Sequence, residues 1–594
     1  DLWDSPKYTE FMMPFLLSMM QNSEAQFSLL RPDCEESDLL SWDAIYTCIG
    51  LGAWQVGLAC DFTSFFHSML IPIWLQLLNN PQAGTLKKGQ QVLRRRLLWL
   101  MRCCFFLFEP VCHGEIFNLA MNIMEPQYGS DLNAYIEACF LIETGVDAGA
   151  FTMEMLTPSL VNLVSRFAFL CTNLEEPEVL VTVVAVIDKV IQCAGMNISS
   201  VLPDLGKVYW SMWNNTTSTS PVRSVLIESI DNLVCIAGTP SAVLLSDLII
   251  PLIALSCSGN TENSHLVASG ISLWLSVMRN ICHTEFQSEV NDLFKHVFTN
   301  LFPTYSDATL LNTDLTAIDN TDISGENQDR IDSILSLHET KEILLICEVY
   351  ATYGGHQWLE ENATILHFIY QKHLCQVNPQ MSGHLIRVLM SLCLVCPIQA
   401  GLFIQQSGLL KAPLRACCAA SMIWGDRDTG IFCAYKEADI AVVNYLALIS
   451  QLLLIDAQYI VLENCAEIST EVSIDCRNKS GLNANTLFSS LCILILEKVD
   501  HTRYSPGGVY YYKILIAALL QIYRNESLLI TRKVEIENAV NELKNLDDNS
   551  EIEDILCLLT KDFDVENVEE SAFVKHSLTL ILADVKKLDS KMLT

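Results

Sequence analysis

Lys87–Phe108 reads KKGQQVLRRRLLWLMRCCFFLF. With Leu93 at zero on a wheel of about 100° per residue, Leu93, Leu97, Leu100, Cys104 and Leu107 share one face. Leu98, Met101, Phe105 and Phe108 share the adjoining face, and only Arg95 and Arg102 mark a narrow polar stripe opposite. A helix apolar on so many sides is sandwiched between other helices instead of lying on a surface. Arg94 and Arg96 fall at the margins of the apolar faces, where an arginine either snorkels or pairs with a neighbour's carboxylate. Such a segment is expected to be the inner member of a stacked helical pair.

Working outward, helical periodicity runs from one end of the chain to the other, and strand alternation is nearly absent. Val179–Ile187, VLVTVVAVI, is rich in β-branched residues. It follows Pro177, a favoured first helical position, and Leu180, Val183, Val184, Ile187, Val190 and Ile191 keep helical spacing, so it is read as helix. A repeat shows in the prolines. Pro72, Pro158, Pro203 and Pro251 lie in similar apolar segments, at steps of about 86, 45 and 48 residues. Gly114–Met124 fills the position skipped in the first step. Second helices alternate with these segments: Leu93–Phe108, Leu132–Glu143, Glu178–Gln192, Val222–Ala237 and Ser264–Met278. Two helices per roughly 40–47 residues is the HEAT/armadillo period. The expected fold is therefore all-α, a right-handed α-solenoid of HEAT-type antiparallel helix pairs. Trp99 and Trp274 are expected to be buried between helices.

The organisation expected along the chain is HEAT repeats over 1–303, an acidic Asn/Asp-rich loop or insertion over 304–330, further repeats over 331–533, and acidic capping helices over 534–594. In the second half, helices are expected at Ile331–Tyr350, His356–Cys375, Met381–Cys396, Leu402–Trp424, Ala441–Ile455, Tyr459–Ile474, Asn485–Val499 and Val509–Tyr523. The stretch WGDRDTGIFCAYKEAD, Trp424–Asp439, reads as another loop.

A chain of 594 residues is longer than one compact core supports, which also favours an array. Hydrophobic residues make up 51% and charged residues only 18%, yet the formal net charge is −33. The mean hydropathy is +0.30. That balance argues against direct nucleic-acid binding and favours basic proteins or basic peptide segments. Stacking explains the hydrophobicity without a membrane. No run reaches about 18 uninterrupted apolar residues, and Ser241–Ser256, the nearest approach, contains Asp247 and Pro251 and reads as a buried helix. The opening residues DLWDSPKYTE carry no basic n-region and no initiator Met, so the sequence reads as part of a longer chain without a signal peptide. Its 23 cysteines are scattered through apolar helices, a pattern that suits packing as free thiols in a reducing compartment. The sequons at Asn197, Asn215 and Asn362 are then unused matches to a short pattern.

Constellations for chemistry are weak. Gly50-Leu-Gly52 lacks the third glycine and the preceding strand of a dinucleotide loop. Cys393-Leu-Val-Cys396 sits in an apolar helix with no second pair and reads as core packing. His367, His373 and Cys375 do not align on one helical face. Asp319–Asp329 resembles a calcium loop only in composition. No nucleophile–base pair is proposed, no metal or cofactor is expected, and the chain is read as a binding protein with no enzymatic activity.

Three segments carry a family likeness. DAIYTCIGLGAW (Asp43–Trp54, followed by Asp61-Phe62), LRRRLLWL (Leu93–Leu100) and SGISLWLSVMRN (Ser269–Asn280) resemble, in order and spacing, the importin-11 branch of the importin-β (karyopherin-β) nuclear transport receptors. The likeness covers about the first half. Where the family continues with Ile-Gly-Gln-Trp, this chain has Met101-Arg102-Cys103-Cys104, which marks it as a divergent member. The family's amino-terminal repeats, which hold the main Ran contacts, have no counterpart, so the chain resembles the middle and carboxy-terminal portion of such a receptor. The resemblance implies cargo held on a concave helical surface, regulation by the small GTPase Ran, contact with nucleoporins, and shuttling between cytoplasm and nucleus through the pores of the nuclear envelope. It implies neither direct nucleic-acid binding nor membrane insertion. The residues add an acidic wall suited to basic cargo. Glu175, Glu176 and Glu178, at the start of an inner helix, are the candidate cargo contacts, and a carboxylate at a helix amino terminus can equally serve the helix itself. The competing reading is a HEAT scaffold of another class, such as a phosphatase regulatory subunit.

Overall fold

The computed structural model describes residues 8–406, apart from residue 30 and the segments 32–33, 79–87, 126–130, 218–219, 259–260, 282–287, 302–336 and 375–378, together with Leu448 and Leu452. The loop expected over 304–330, with its calcium-like stretch, lies outside the described residues. So do the loop at Trp424–Asp439, nearly all of the helices expected from Leu402 onward, and the capping segment 534–594. The chain divides into two compact units, residues 1–285 and 286–594. Every regular element among the described residues is helical.

In the first unit the helices alternate as first and second members of pairs. The pairs are α1 (Met13–Gln21) with α2 (Glu36–Leu51), then, after the short α3 (Ala53–Ala59), α4 (Ile71–Leu78) with α5 (Lys88–Cys103). There follow α6 (Pro110–Ile123) with α7 (Leu132–Asp147), and α8 (Leu160–Asn173) with α9 (Pro177–Ala194). The last are α10 (Leu202–Asn215) with α11 (Pro221–Ala237), and α12 (Ile250–Ser256) with α13 (Val267–Asn280). The second helices also stack on one another in order: α2 on α5, α5 on α7, α7 on α9, α9 on α11 and α11 on α13. This is the HEAT arrangement, two rows of helices with the apolar layer between them, and it places the segment around Val179–Ile187 in helix α9.

The recurrent prolines act on the first row. Tyr8–Met12, Phe66–Leu70 and Leu245–Ile249 are π turns, and each is followed at its second residue by a proline, Pro14, Pro72 and Pro251. A proline ring displaces the carbonyl four residues back and offers no N–H to it, and a wider turn absorbs the misfit. Pro158 and Pro203 enter their helices from 3₁₀ turns instead.

The segment that opened the sequence reading behaves as an inner helix, with one correction. Leu93, Leu97, Leu98, Leu100 and Met101 are fully buried. The helix stops at Cys103, however, and Phe105–Leu107 form a 3₁₀ turn leading to Glu109-Pro110, which starts α6. Phe105 and Phe108 therefore reach the core from a turn, where they pack against Phe151 and Phe62 at centroid distances of 5.5 and 5.4 Å. Trp274 is 1% exposed, as expected of an inner-helix tryptophan. Trp99 is only half-buried: its ring lies over Gly50, where an added Cβ would come within 2.4 Å, and Arg96 covers it at 4.7 Å.

Three runs are long and apolar enough to cross a membrane by length and composition alone: Met153–Asn173, Pro177–Asn215 and Thr239–Ser256. Each turns one apolar face into the helix layer and leaves other apolar residues, Met153, Val161 and Met196 among them, exposed. Leu163, Val164, Phe167 and Leu170 are buried, while Glu154, Thr172 and Asn173 are exposed, and the longest run is broken at Gly195. Amphipathic packing of this kind accounts for the hydropathy.

The second unit repeats the pattern. It contains α14 (Ser288–Leu301), α15 (Leu337–Leu374), α16 (Pro379–Val395) and α17 (Pro397–Gln406). α15 is two helices broken at Gly355, whose φ of 54° and ψ of −135° match Gly195 (54°, −137°) and Gly238 (58°, −137°). Those two glycines end α9 and α11, so Gly355 marks the same turn from a second helix to the next first helix. Cys393 of α16 and Cys396, in the bend just after it, are buried, and burial pushes the Cys393 thiol up to about 12, which fits core packing and not redox chemistry.

Candidate functional site: the second-helix face

The stacked second helices are joined side to side by a polar ladder. Between α2 and α5, Arg96 Nε donates to Asp43 Oδ1 at 2.7 Å. Between α5 and α7, Asp131 accepts from Arg94 Nη2 at 2.6 Å and from Arg95 Nε at 2.7 Å, with Arg94 and Asp131 only 1% and 2% exposed. Arg102 stands 3.6 Å from Glu137, whose carboxyl burial raises above its usual range. Lys189 pairs with Asp147 at 2.8 Å between α9 and α7. Both arginines at the margins of the apolar face thus pair with a neighbour's carboxylate, and Arg95, expected on an open stripe, does so as well.

Beyond α9 the ladder changes chemistry from arginine–carboxylate to carboxylate–hydroxyl. Asp188 accepts from Ser229 Oγ and, at 3.3 Å, from Asn232 Nδ2, and Ser229 meets the buried Tyr209 hydroxyl at 2.7 Å. Burial pushes the Asp188 carboxyl up, and the Ser229 and Asn232 hydrogen bonds pull it back. Between α11 and α13, Ser269 donates to Glu228 at 3.4 Å, Ser272 to Asp231 at 3.0 Å, and the Cys235 thiol to Ser276 at 3.4 Å. These last partners are 41 residues apart in sequence, one repeat. Glu228, Asn232 and Cys235 are exposed, so this stretch of the row presents a carboxylate, an amide and a thiol to solvent. Arg279 of α13 is exposed close to Cys235, whereas Arg223 lies 4.4 Å over the Trp213 ring and donates to the Trp213 and Thr216 carbonyls, where it closes the end of α10.

Glu175, Glu176 and Glu178 are all exposed, in the turn between α8 and α9 and the first turn of α9. Glu176 occupies the N-cap position without a side-chain cap hydrogen bond, so local capping does not occupy its carboxylate. The three glutamates stand at one end of the face, and Asp188, Glu228 and Asp231 stand along it. The sequence reading missed the latter group, although their recurrence one repeat apart was the available signal.

One triad-like arrangement appears outside this face. The Cys112 thiol lies 3.4 Å from His67 Nε2, and His67 Nδ1 lies 3.4 Å from Glu115. Cys112 is fully buried and its thiol is raised by burial, the opposite of an activated nucleophile. Among the described residues, no group of three or more His, Cys, Asp or Glu is placed to hold a metal ion.

The three segments that suggested a family contribute directly to these contacts. Asp43 receives Arg96, Gly50 receives Trp99, Asp61 caps the next helix by accepting from Ser64 N at 3.1 Å, and Ser269, Ser272 and Ser276 belong to the α11–α13 rungs. Human importin-11 is 25% identical over 276 residues, which span 46% of this chain and 27% of that protein. Over those residues the chain is similar to importin-11. Mouse importin-11 matches over the same length at the same identity. The chain thus aligns with about a quarter of the length of those curated proteins. No protein-family model matches the chain. Its fold is that of Lph2, a bidirectional nuclear transport receptor of S. cerevisiae, with a TM-score of 0.60 at 15% identity, over 96% of this chain and 54% of that one. Importins are transport receptors and not enzymes, in agreement with the expectation of a binding protein.

Proposed function

We propose that the chain is the cargo-holding part of a nuclear transport receptor that moves between cytoplasm and nucleus through the pores. In this reading a protein cargo with a basic segment lies on the second-helix face, and the GTP form of Ran, acting through the whole receptor, controls its loading or release. Nucleoporins are the third class of partner. The observation that carries the reading is the relationship to importin-11 over 276 residues. The chemistry of the face supports it: Asp188, Glu228 and Asp231, with Glu175, Glu176 and Glu178 at its edge, form a predominantly acidic row in a chain of net charge −33. Such a surface attracts basic segments and speeds their encounter. The test is a pull-down on the full-length protein with Ran loaded with GTP or with GDP. Selective retention of the GTP form is expected, and equal or absent retention of both forms would contradict the reading.

A further inference from the structure

We infer that the turns joining second helices to the next first helices form a separate docking surface, anchored on Trp54 and Phe106, for an extended, basic and apolar segment of a protein partner. Trp54 (α3) and Phe106 belong to successive turns of this kind. They stack across the repeat boundary at a centroid distance of 5.8 Å and 27° between planes, yet are 65% and 56% exposed. Leu58, on the next turn of α3, is 78% exposed.

The platform is held rigidly from beneath. An added Cβ at Gly57 would come within 2.3 Å of Leu107, Phe62 packs edge-on against Phe108 at 5.4 Å, and the Glu109 amide donates to Thr63 Oγ1 at 3.4 Å. The aromatic pair is therefore preformed, and a ligand meets little ordering cost there. Large aromatic anchors on a rigid frame are the residues that dominate binding energy at protein interfaces.

Charge and spacing identify the occupant. Neither turn, residues 52–63 or 104–110, contains Lys or Arg, while each carries an exposed carboxylate, Asp61 and Glu109. An aromatic face beside carboxylates suits an arginine or lysine flanking an apolar side chain. The row continues, because the next three turns of this kind expose Met153, Met196 and Val243. Met153 and Met196 are linked through their neighbours: Thr157 Oγ1 donates to the Met153 carbonyl at 2.7 Å and accepts from Asn197 Nδ2 at 3.2 Å. Stacked helices lie roughly 8–10 Å apart, and an extended polyproline II chain has three residues per turn and advances about 3.1 Å per residue, which returns every third side chain to the same face about 9 Å further on. An extended partner in register with this edge thus carries an apolar side chain about every third residue, with basic residues between. The surface lies at helix ends, apart from the second-helix face, so the inference does not depend on the cargo reading.

The test uses the full 594-residue chain and a fluorescein-labelled peptide of repeated Leu-Arg-Ser, with a scrambled peptide of equal composition and a Leu-Glu-Ser peptide as comparisons, read by anisotropy. The Leu-Arg-Ser peptide is expected to bind more tightly than either comparison. Trp54→Ala with Phe106→Ala is expected to weaken it at least about tenfold, with circular dichroism and melting temperature unchanged, because both side chains are outside the core. Glu228→Lys with Asp231→Lys, on the other face, is expected to change it less than about twofold. Undiminished binding by the double alanine variant, or equal binding of the scrambled or acidic peptide, would overturn the inference. So would sedimentation velocity showing that the wild-type chain self-associates through this patch and the alanine variant does not, since the occupant would then be a second copy.

Discussion

Asp131 serves three partners at once: two arginines from α5 and the amide of Ala134, which it caps at 3.2 Å. Asp131 is the carboxylate partner of the buried Arg94 guanidinium, and removing one member of a buried ion pair costs about 3–5 kcal/mol. Asp131→Ala is expected to lower the stability of the first unit by that amount in urea denaturation. Asp131→Asn, which keeps an oxygen for the cap, is expected to cost less. If both variants unfold with the wild type, the α5–α7 pairing is not structural. His384 of α16 supplies a pH-dependent counterpart in the second unit. Burial, then Arg387 and Lys341, lowers it from 6.5 to about 4. The unfolded chain therefore binds the proton more readily than the folded one between those values. The stabilisation is complete above the unfolded value and is lost as pH falls toward the folded one, at most about 3 kcal/mol. Thermal unfolding followed from pH 7 to pH 4 is expected to show this loss, and His384→Gln to flatten it. An unchanged slope in the variant would assign the acid sensitivity to other groups.

At the scale of elements, the positions that end helices matter more than those that continue them. Gly195 and Gly238 hold backbone angles that residues with a side chain rarely adopt, and an added Cβ meets nothing within 4 Å at either. The cost of Gly195→Ala or Gly238→Ala is therefore backbone strain alone, about 1–3 kcal/mol each. Gly114, inside α6, also has open space but ordinary helical angles. There the same substitution is expected to stabilise, by about 0.5–1 kcal/mol. Opposite signs in melting temperature for the two classes would verify the repeat boundaries, and equal signs would contradict them. These boundaries explain what could be read in advance. The apolar periodicity of α9 or α11 is local and long, so the pairs and their alternation follow from sequence. The end of α5 does not, because Phe105 and Phe108 continue the helical pattern while the turn is dictated by Pro110 and by aromatic partners in other repeats. Trp99 is open on one side for a similar reason: Gly50 fixes its seat, and only the assembled neighbour reveals it.

For the whole molecule, the family likeness was legible because its residues are the ones that join repeats, Asp43 with Arg96 and Gly50 with Trp99. Beyond Glu175, Glu176 and Glu178, the acidic face was legible only as net charge. Asp188 lies on α9 and Glu228 and Asp231 on α11, one repeat apart, and nothing local singles them out. If this face captures basic segments, exposed carboxylates act over about 8–10 Å at physiological ionic strength and weaken as salt shortens that range. Charge reversal there slows association more than it speeds dissociation. The most direct test is the association rate of a basic cargo segment with the full chain, measured from low to high salt, for the wild type and for variants carrying Glu175→Lys, Glu176→Lys and Glu178→Lys or Glu228→Lys and Asp231→Lys. A steep fall with salt in the wild type, and a slower and flatter rate in both variants, is the predicted result. Association indifferent to salt and to both sets of substitutions would show that the acidic face does not hold cargo.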